Sequence, residues 1–358
     1  MKTSRKFLGF LILLAAMFLP GNLFAQATRP NSIEELTRHA KAGDAGAMYE
    51  LGVDYQSGRG VDVDLAAGRA WLEKAAQAGS TVAMHRLGAM YRSAGGGVNR
   101  DLETALKWYQ KEADAGASSG MISVGYCYEK GFGVAKDAAK AHQLFEQGLA
   151  TARRDSASGD TEAMGSMGWF FETGHCVEKD YGQAMVWYRK SAGAGNVNSM
   201  SKVAESHYYG WGVPHDFAQA VFWTRKAVDG GSVASMSTIG SFYQYGTGVG
   251  QDYEAAMVWY RKALACGDAG ASSRIGFLYD RGLGVAADYA AAMKWYRQAA
   301  DAGITAAMID IGILHRDGHG VDKNNGEAMS WFRKAADGGD GAGMAEIGLQ
   351  YHRGLGVA

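Results

Sequence analysis

"GVGQDYEAAMVWYRKALACG" (248–267) is followed by "GVAADYAAAMKWYRQAADAG" (284–303) and preceded by "GVPHDFAQAVFWTRKAVDGG" (212–231) and "CVEKDYGQAMVWYRKSAGAG" (176–195). The start points lie 36 residues apart, so one segment is spelled four times in succession. A period between about 20 and 50 residues denotes a solenoid or a propeller.

Three slots extend the pattern over most of the chain. An aromatic recurs at Trp71, Trp108, Phe145, Trp187, Trp223, Trp259, Trp295 and Trp331. A small residue recurs at Gly52, Gly88, Gly125, Gly168, Ala204, Gly240, Gly276, Gly312 and Gly348. A Gly-x-Gly loop recurs from Gly58/Gly60 to Gly354/Gly356, broken only at Gly174-His175-Cys176. Between these marks the apolar spacing is helical: Met48, Leu51 and Tyr55 share one face, as do Tyr181, Ala184, Tyr188 and Ala192. Each unit therefore reads as helix A, a glycine turn, helix B and a second turn. A unit of this size buries its apolar face only against its neighbours.

The slots resemble the Sel1-like repeat, a relative of the tetratricopeptide repeat: Ala-x-x-x-Leu-Gly-x-x-Tyr, Gly-x-Gly-Val, then Asp-Tyr-x-x-Ala-x-x-Trp-Tyr-x-Lys-Ala-Ala. The resemblance covers about residues 31–358. It implies an all-α fold, a right-handed superhelical α-solenoid, with helix A lining the concave side. The expected organisation is a capping helix over 28–43 and then an array over 44–358. That array holds eight full repeats and a terminal half repeat. Ser32 and Glu35 are spaced as a capping box. "LATARRDSASGD" (149–160) inserts seven residues after the third helix B. Seven residues are about two helical turns, so either a longer, kinked helix or a loose surface insertion is expected there.

The N-terminus is of another kind. Lys2, Arg5 and Lys6 precede an apolar run, Phe7 to Leu19, and Ala25-Gln26-Ala27 offers a small-residue cleavage site. Residues 1–27 therefore read as a secretory signal peptide, too short in its apolar part to anchor, and the mature protein is expected in the periplasm or outside the cell. With Lys+Arg 36 against Asp+Glu 37 the chain has no basic footprint for nucleic acid. Only Cys127, Cys176 and Cys266 occur, without a repeated spacing, so no disulfide framework is expected.

Few constellations suggest chemistry. His315 and His319 are four apart, and His175 abuts Cys176, but three or four converging ligands are wanting. "SMSK" (199–202) matches the first element of the penicillin-recognising enzymes, yet their "SDN" and "KTG" elements are absent. No nucleophile–base set stands out, and neither an enzyme, a metal nor a cofactor is expected.

What remains is a surface. The helix A slot most opposed to Met48, Leu51 and Tyr55 reads Val53, Ala89, Tyr126, Trp169, Glu205, Ser241, Phe277, Ile313 and Leu349. It varies while the framework slots repeat. In the fold that the resemblance implies, these residues line the groove. The expected partner-binding set is Tyr126, Glu129, Trp169, Glu172, Glu205, Tyr208, Tyr209, Phe277, Asp280 and Ile313, since aromatics beside carboxylates make protein-binding hot spots. A non-enzymatic periplasmic scaffold follows. The resemblance makes its partner a toxin effector neutralised by an immunity protein, or a sensor kinase or envelope assembly. A cell-wall or β-lactam hydrolase is the less favoured alternative.

Overall fold

The computed structural model describes residues 32–355. Helix α1 (Ile33–Lys41) precedes eight helix pairs. Their A helices are α2 (Ala45–Ser57), α4 (Thr81–Ser93), α6 (Ser118–Lys130), α8 (Thr161–Thr173), α10 (Val197–Tyr209), α12 (Val233–Tyr245), α14 (Gly270–Arg281) and α16 (Thr305–Asp317). Their B helices are α3 (Leu65–Gln77), α5 (Leu102–Asp114), α7 (Ala138–Ala157), α9 (Tyr181–Gly193), α11 (Phe217–Asp229), α13 (Tyr253–Ala265), α15 (Tyr289–Asp301) and α17 (Asn325–Asp337). An unpaired A helix, α18 (Gly341–Arg353), closes the row. No strand occurs among the described residues, and none of their helices is long and apolar enough to cross a membrane. The proposed signal peptide lies outside them.

Local chemistry sets the helix ends. Every B helix starts at Asp or Asn, whose side chain accepts the amide three residues on, from Asp64 and Ala67 to Asn324 and Glu327. The capping box expected on α1 keeps its first half, with Glu35 N donating to Ser32 Oγ at 3.1 Å. A helices end in a left-handed residue, usually glycine; Ala94, at φ 57°, takes that conformation without being one.

The glycine in mid-helix A is the seat of a ring. Added Cβ atoms at Gly88, Gly168 and Gly240 would lie 2.5 Å from the rings of Tyr109, Tyr188 and Tyr260. At Gly125 the occupant is Phe145, which therefore fills the tyrosine slot and not the tryptophan slot assigned from the sequence. Leu144 precedes it where the other repeats have tryptophan. Repeat five carries both exceptions together: Ala204 replaces the glycine, and the ring position holds Thr224, itself buried. A larger seat meets a smaller occupant.

The insertion in repeat three is helical throughout, making α7 twenty residues long against thirteen for α5 and α9. Leu149 and Ala152 of the extension join the core with Phe145, Met167 and Phe170. It is not a loose loop.

Two contacts lie outside the nearest-neighbour plan. The first repeat meets the turn after α11. Arg59 Nη1 donates to the Asp229 carbonyl at 2.9 Å, while its Nε holds Asp54 at 2.6 Å and its Nη2 holds Glu50 at 2.8 Å. Val53 packs against Gly231, where a Cβ would come within 2.4 Å of Val53 Cγ1. Gly267 likewise approaches Gly96 and Leu65. Val53, expected at the most open slot, is consequently only 2 % exposed. The superhelix is wound tightly enough for repeat five to cover repeat one.

Candidate functional site

The expected binding residues fall into four separate groups. In repeat three, the Tyr126 ring meets the Phe132 ring edge-on at 5.8 Å and lies under Lys130. Glu129 accepts from Lys130 Nζ at 2.7 Å and stands 3.5 Å from His175 Nε2. The Lys130 hydrogen bond holds its carboxyl below the ordinary range. His175 stacks on Trp169 at 4.9 Å, and Phe145 of α7 closes in at 5.5 Å. Trp169 was expected to stand free in a groove. It is instead half-buried, because the loop residue His175 and the ring of α7, 4.5 Å from each other, pack together against it.

The carboxylates are also engaged. Glu172 accepts from the Tyr188 hydroxyl and from Lys202 Nζ at 3.1 Å; the same ammonium reaches Glu205 at 3.0 Å. Burial first, then the Glu172 charge, pushes the Tyr188 hydroxyl far above its usual range. The pairing recurs in repeat six. Tyr260 donates to Gln244 at 2.6 Å from the equivalent positions. Where the ring is Phe145 or Phe332 no hydroxyl exists, and Glu129 and Arg316 find other partners: Lys130 with His175, and Asp317 with Glu346. Glu129, Glu172 and Glu205 thus satisfy the chain itself and are not poised for a basic group on a partner.

The third group is open. Tyr208 is half-buried, edge-on to Tyr209 at 4.7 Å and stacked on Phe242 at 5.8 Å. Tyr209 is 51 % exposed and stacks on Trp211 at 4.6 Å, which stacks in turn on Tyr181 at 5.7 Å. Phe217 and Tyr245 are exposed beside this ladder, in repeats five and six. Trp211, Phe217 and Tyr245 were missed in the sequence. The signal was the middle of the Gly-x-Gly loop, which reads Phe132, His175 and Trp211 in successive repeats.

The fourth group, Phe277, Asp280 and Ile313, sits in repeats seven and eight, apart from the others. Phe277 packs on the core around Ile275 and Leu278, Asp280 pairs with Arg281 at 3.4 Å, and Ile313 is half-buried. Burial, with the Asp280 charge behind it, raises the Asp310 carboxyl to about 6.

The concave side of repeats one to five is polar and internally bonded. His85 Nδ1 lies 3.0 Å from Glu112, Ser119 donates to Glu112 at 2.5 Å, and Asn196 donates to Glu162 at 2.6 Å. Burial opposes a charge on His85, but Glu112 outweighs it and the net shift is upward. Cys176 Sγ lies 3.9 Å from His142 Nδ1, and His142 Nε2 lies 3.5 Å from Glu146, but burial raises the thiol above its usual range. Ser199 is buried against Ser191 at 2.8 Å while Lys202 serves two glutamates. Cys127 and Cys266 are buried, Cys176 is half-buried, and all three are free. His319 stacks on Tyr289, and no group of three or more His, Cys, Asp or Glu could hold a metal ion among the described residues.

The repeat itself is the recognisable object. The model of the Sel1 repeat matches residues 45–80, 81–116, 118–149, 161–196, 197–232, 234–268, 269–304 and 305–340. The chain belongs to the Sel1-repeat family, and its architecture is an α-solenoid. Among solved structures it is similar to a protective antigen of uropathogenic Escherichia coli with an SLR fold. That match is 31 % identical over 90 % of this chain and 68 % of the other, with a TM-score of 0.47. A Sel1 repeat protein of Oxalobacter formigenes is 25 % identical over 88 % and 89 %, with a TM-score of 0.50. An immunity protein of Pseudomonas aeruginosa is 16 % identical over 63 % and 82 %, with a TM-score of 0.42. No functionally curated protein matches the sequence.

Proposed function

We propose that this Sel1-repeat protein is a non-enzymatic scaffold that grips a partner protein through the aromatic edge of repeats four to six. The observation that carries the reading is the Tyr181–Trp211–Tyr209 stack with Phe217 and Tyr245 beside it. Tyr209, Phe217 and Tyr245 are large rings exposed to water, and the half-buried Trp211 and Tyr181 hold Tyr209 in place. Exposed aromatics held rigid by their neighbours bind with little loss of side-chain freedom. Tyr126 and Trp169 flank this edge as its less accessible end. The concave side of the first five repeats contributes less than expected, because repeat five covers repeat one and the polar groups there are paired. An array whose main offering is a binding face suits neutralisation by binding alone. The partner we infer is therefore a toxin effector. The basic, apolar and small-residue succession of residues 1–27 places the mature protein in the periplasm in this reading.

The test is affinity capture of periplasmic partners by the wild type and by Tyr209→Ala/Trp211→Ala/Tyr245→Ala. The variant should keep its helical signal and lose the partner that mass spectrometry identifies. Retention of that partner at wild-type yield rules out the aromatic edge. A sensor kinase or envelope component in its place refutes the immunity reading while leaving the scaffold. The mature N-terminus should read from near Gln26 or Thr28; intact Met1 in the soluble cytoplasm refutes export.

A further inference from the structure

The outer side of the array carries a second exposed feature, independent of the aromatic edge. The B helix position just before the tryptophan slot holds Val186, Phe222 and Val258 in repeats four, five and six, exposed by 48, 48 and 64 %. In repeats one, two, three, seven and eight the same position is Ala70, Lys107, Gln143, Lys294 and Ser330. Large apolar side chains at this position are thus confined to three consecutive repeats.

The same three helices are basic on balance. α9 carries Arg189 and Lys190 and no acid; α11 carries Arg225 and Lys226 against Asp229; α13 carries Arg261 and Lys262 against Glu254. The lysines stand beside the stripe. Lys190 lies 4.5 Å from the Trp187 ring, Lys226 5.2 Å from Phe222, and Lys262 5.2 Å from Trp259. A row of apolar side chains flanked by indoles and basic heads is the composition that seats itself at a lipid headgroup layer. The stripe is built of one residue from each of three successive B helices. A yielding planar surface can meet all three side chains at once. Basic groups near such a surface favour anionic lipid and lose their effect as salt rises.

We propose that the convex B helices of repeats four to six dock the protein on an anionic membrane surface, with Val186, Phe222 and Val258 inserted among the headgroups. The test is flotation of the purified protein with vesicles of phosphatidylcholine alone and of phosphatidylcholine with about one-third phosphatidylglycerol. The protein should float with the anionic vesicles at least tenfold better than with the neutral ones, and less as salt is raised. Val186→Ser/Phe222→Ser/Val258→Ser should abolish flotation without lowering the Tm, because all three side chains are solvent-facing. Failure of the wild type to float, or undiminished flotation of the variant, overturns the proposal. So does a dimer in sedimentation that this variant dissolves, which would make the stripe a contact between two copies. So too does an acidic peptide that binds the stripe while vesicles do not.

Discussion

At the scale of single residues, the ring seat explains more than the repeat consensus does. In repeats four and six the tyrosine hydroxyl of helix B finds a polar partner four residues past the glycine seat in helix A, namely Glu172 and Gln244. Asp280 stands at that position in repeat seven, and its charge bears on Asp310 in the next repeat. Asp310 is the residue whose titration should be visible in stability. Its carboxyl is raised from 3.8 to about 6 in the folded chain, chiefly by burial. A folded-state value above the unfolded one means that the folded state binds the proton more tightly. Stability then falls as pH rises between about 4 and 6, and the full penalty stands above that window. Two units correspond to about 3 kcal/mol, and partial exposure to water reduces this to about 1–2 kcal/mol. Asp310→Asn should therefore stabilise the protein by about 1–2 kcal/mol at pH 8 and by almost nothing at pH 4. Denaturant melts at the two pH values decide it; equal effects at both would show that Asp310 is ordinarily solvated.

At the scale of the element, six of the eight helix pairs are a ring laid on a glycine, the first having Leu72 on Gly52 and the fifth Thr224 on Ala204. Gly240→Ala would drive a methyl into the Tyr260 ring, whose nearest carbon lies 2.5 Å from the added Cβ. Overpacking of this kind costs about 1–3 kcal/mol, so the urea midpoint should fall although alanine is the better helix former. An unchanged or raised midpoint would mean that the ring slides away freely. Helix type, the repeat period and the turn glycines were legible in the sequence because each rests on local spacing. The identity of Phe145 was not, since Leu144-Phe145 can be aligned with Trp-Tyr in two registers, and only the seat at Gly125 chooses. The length of α7 was legible as one of two outcomes. Seven residues turn a helix through about two full turns, so the extension returns the same face to the core and can stay helical. The binding residues were legible as residue types and not as environments. Trp169 is aromatic in any alignment, but its stacking on His175 depends on a loop that bends back over it.

At the scale of the whole molecule, the contact of repeat one with repeat five separates this chain from a row of independent neighbours. Val53 looks open by helical phase, and nothing local could have shown that the turn at Gly231 would reach it. The contact can be probed without disturbing any single repeat. Gly231 and Gly303 occupy equivalent turn positions with φ of +88° and +84°, but a Cβ at Gly303 has nothing within 4 Å. Alanine at either costs about 1 kcal/mol in backbone strain. Gly231→Ala alone also pushes on Val53. It should increase the radius of gyration in small-angle scattering relative to Gly303→Ala, with the two helical signals equal. Matching scattering curves would show that the contact gives way at no cost to the superhelix.

That contact also counts. Tandem genes of this kind lengthen and shorten by whole units, and a solenoid held only by adjacent contacts is indifferent to how many it contains. Here Arg59 reaches for a particular carbonyl, that of Asp229, four turns of the genetic repeat away. Loss or duplication of a unit between them would leave every helix pair well formed and yet present the wrong turn to Arg59 and Val53. Copy number is therefore constrained within the first six units. Descendants of this gene should vary in length at their C-terminal end.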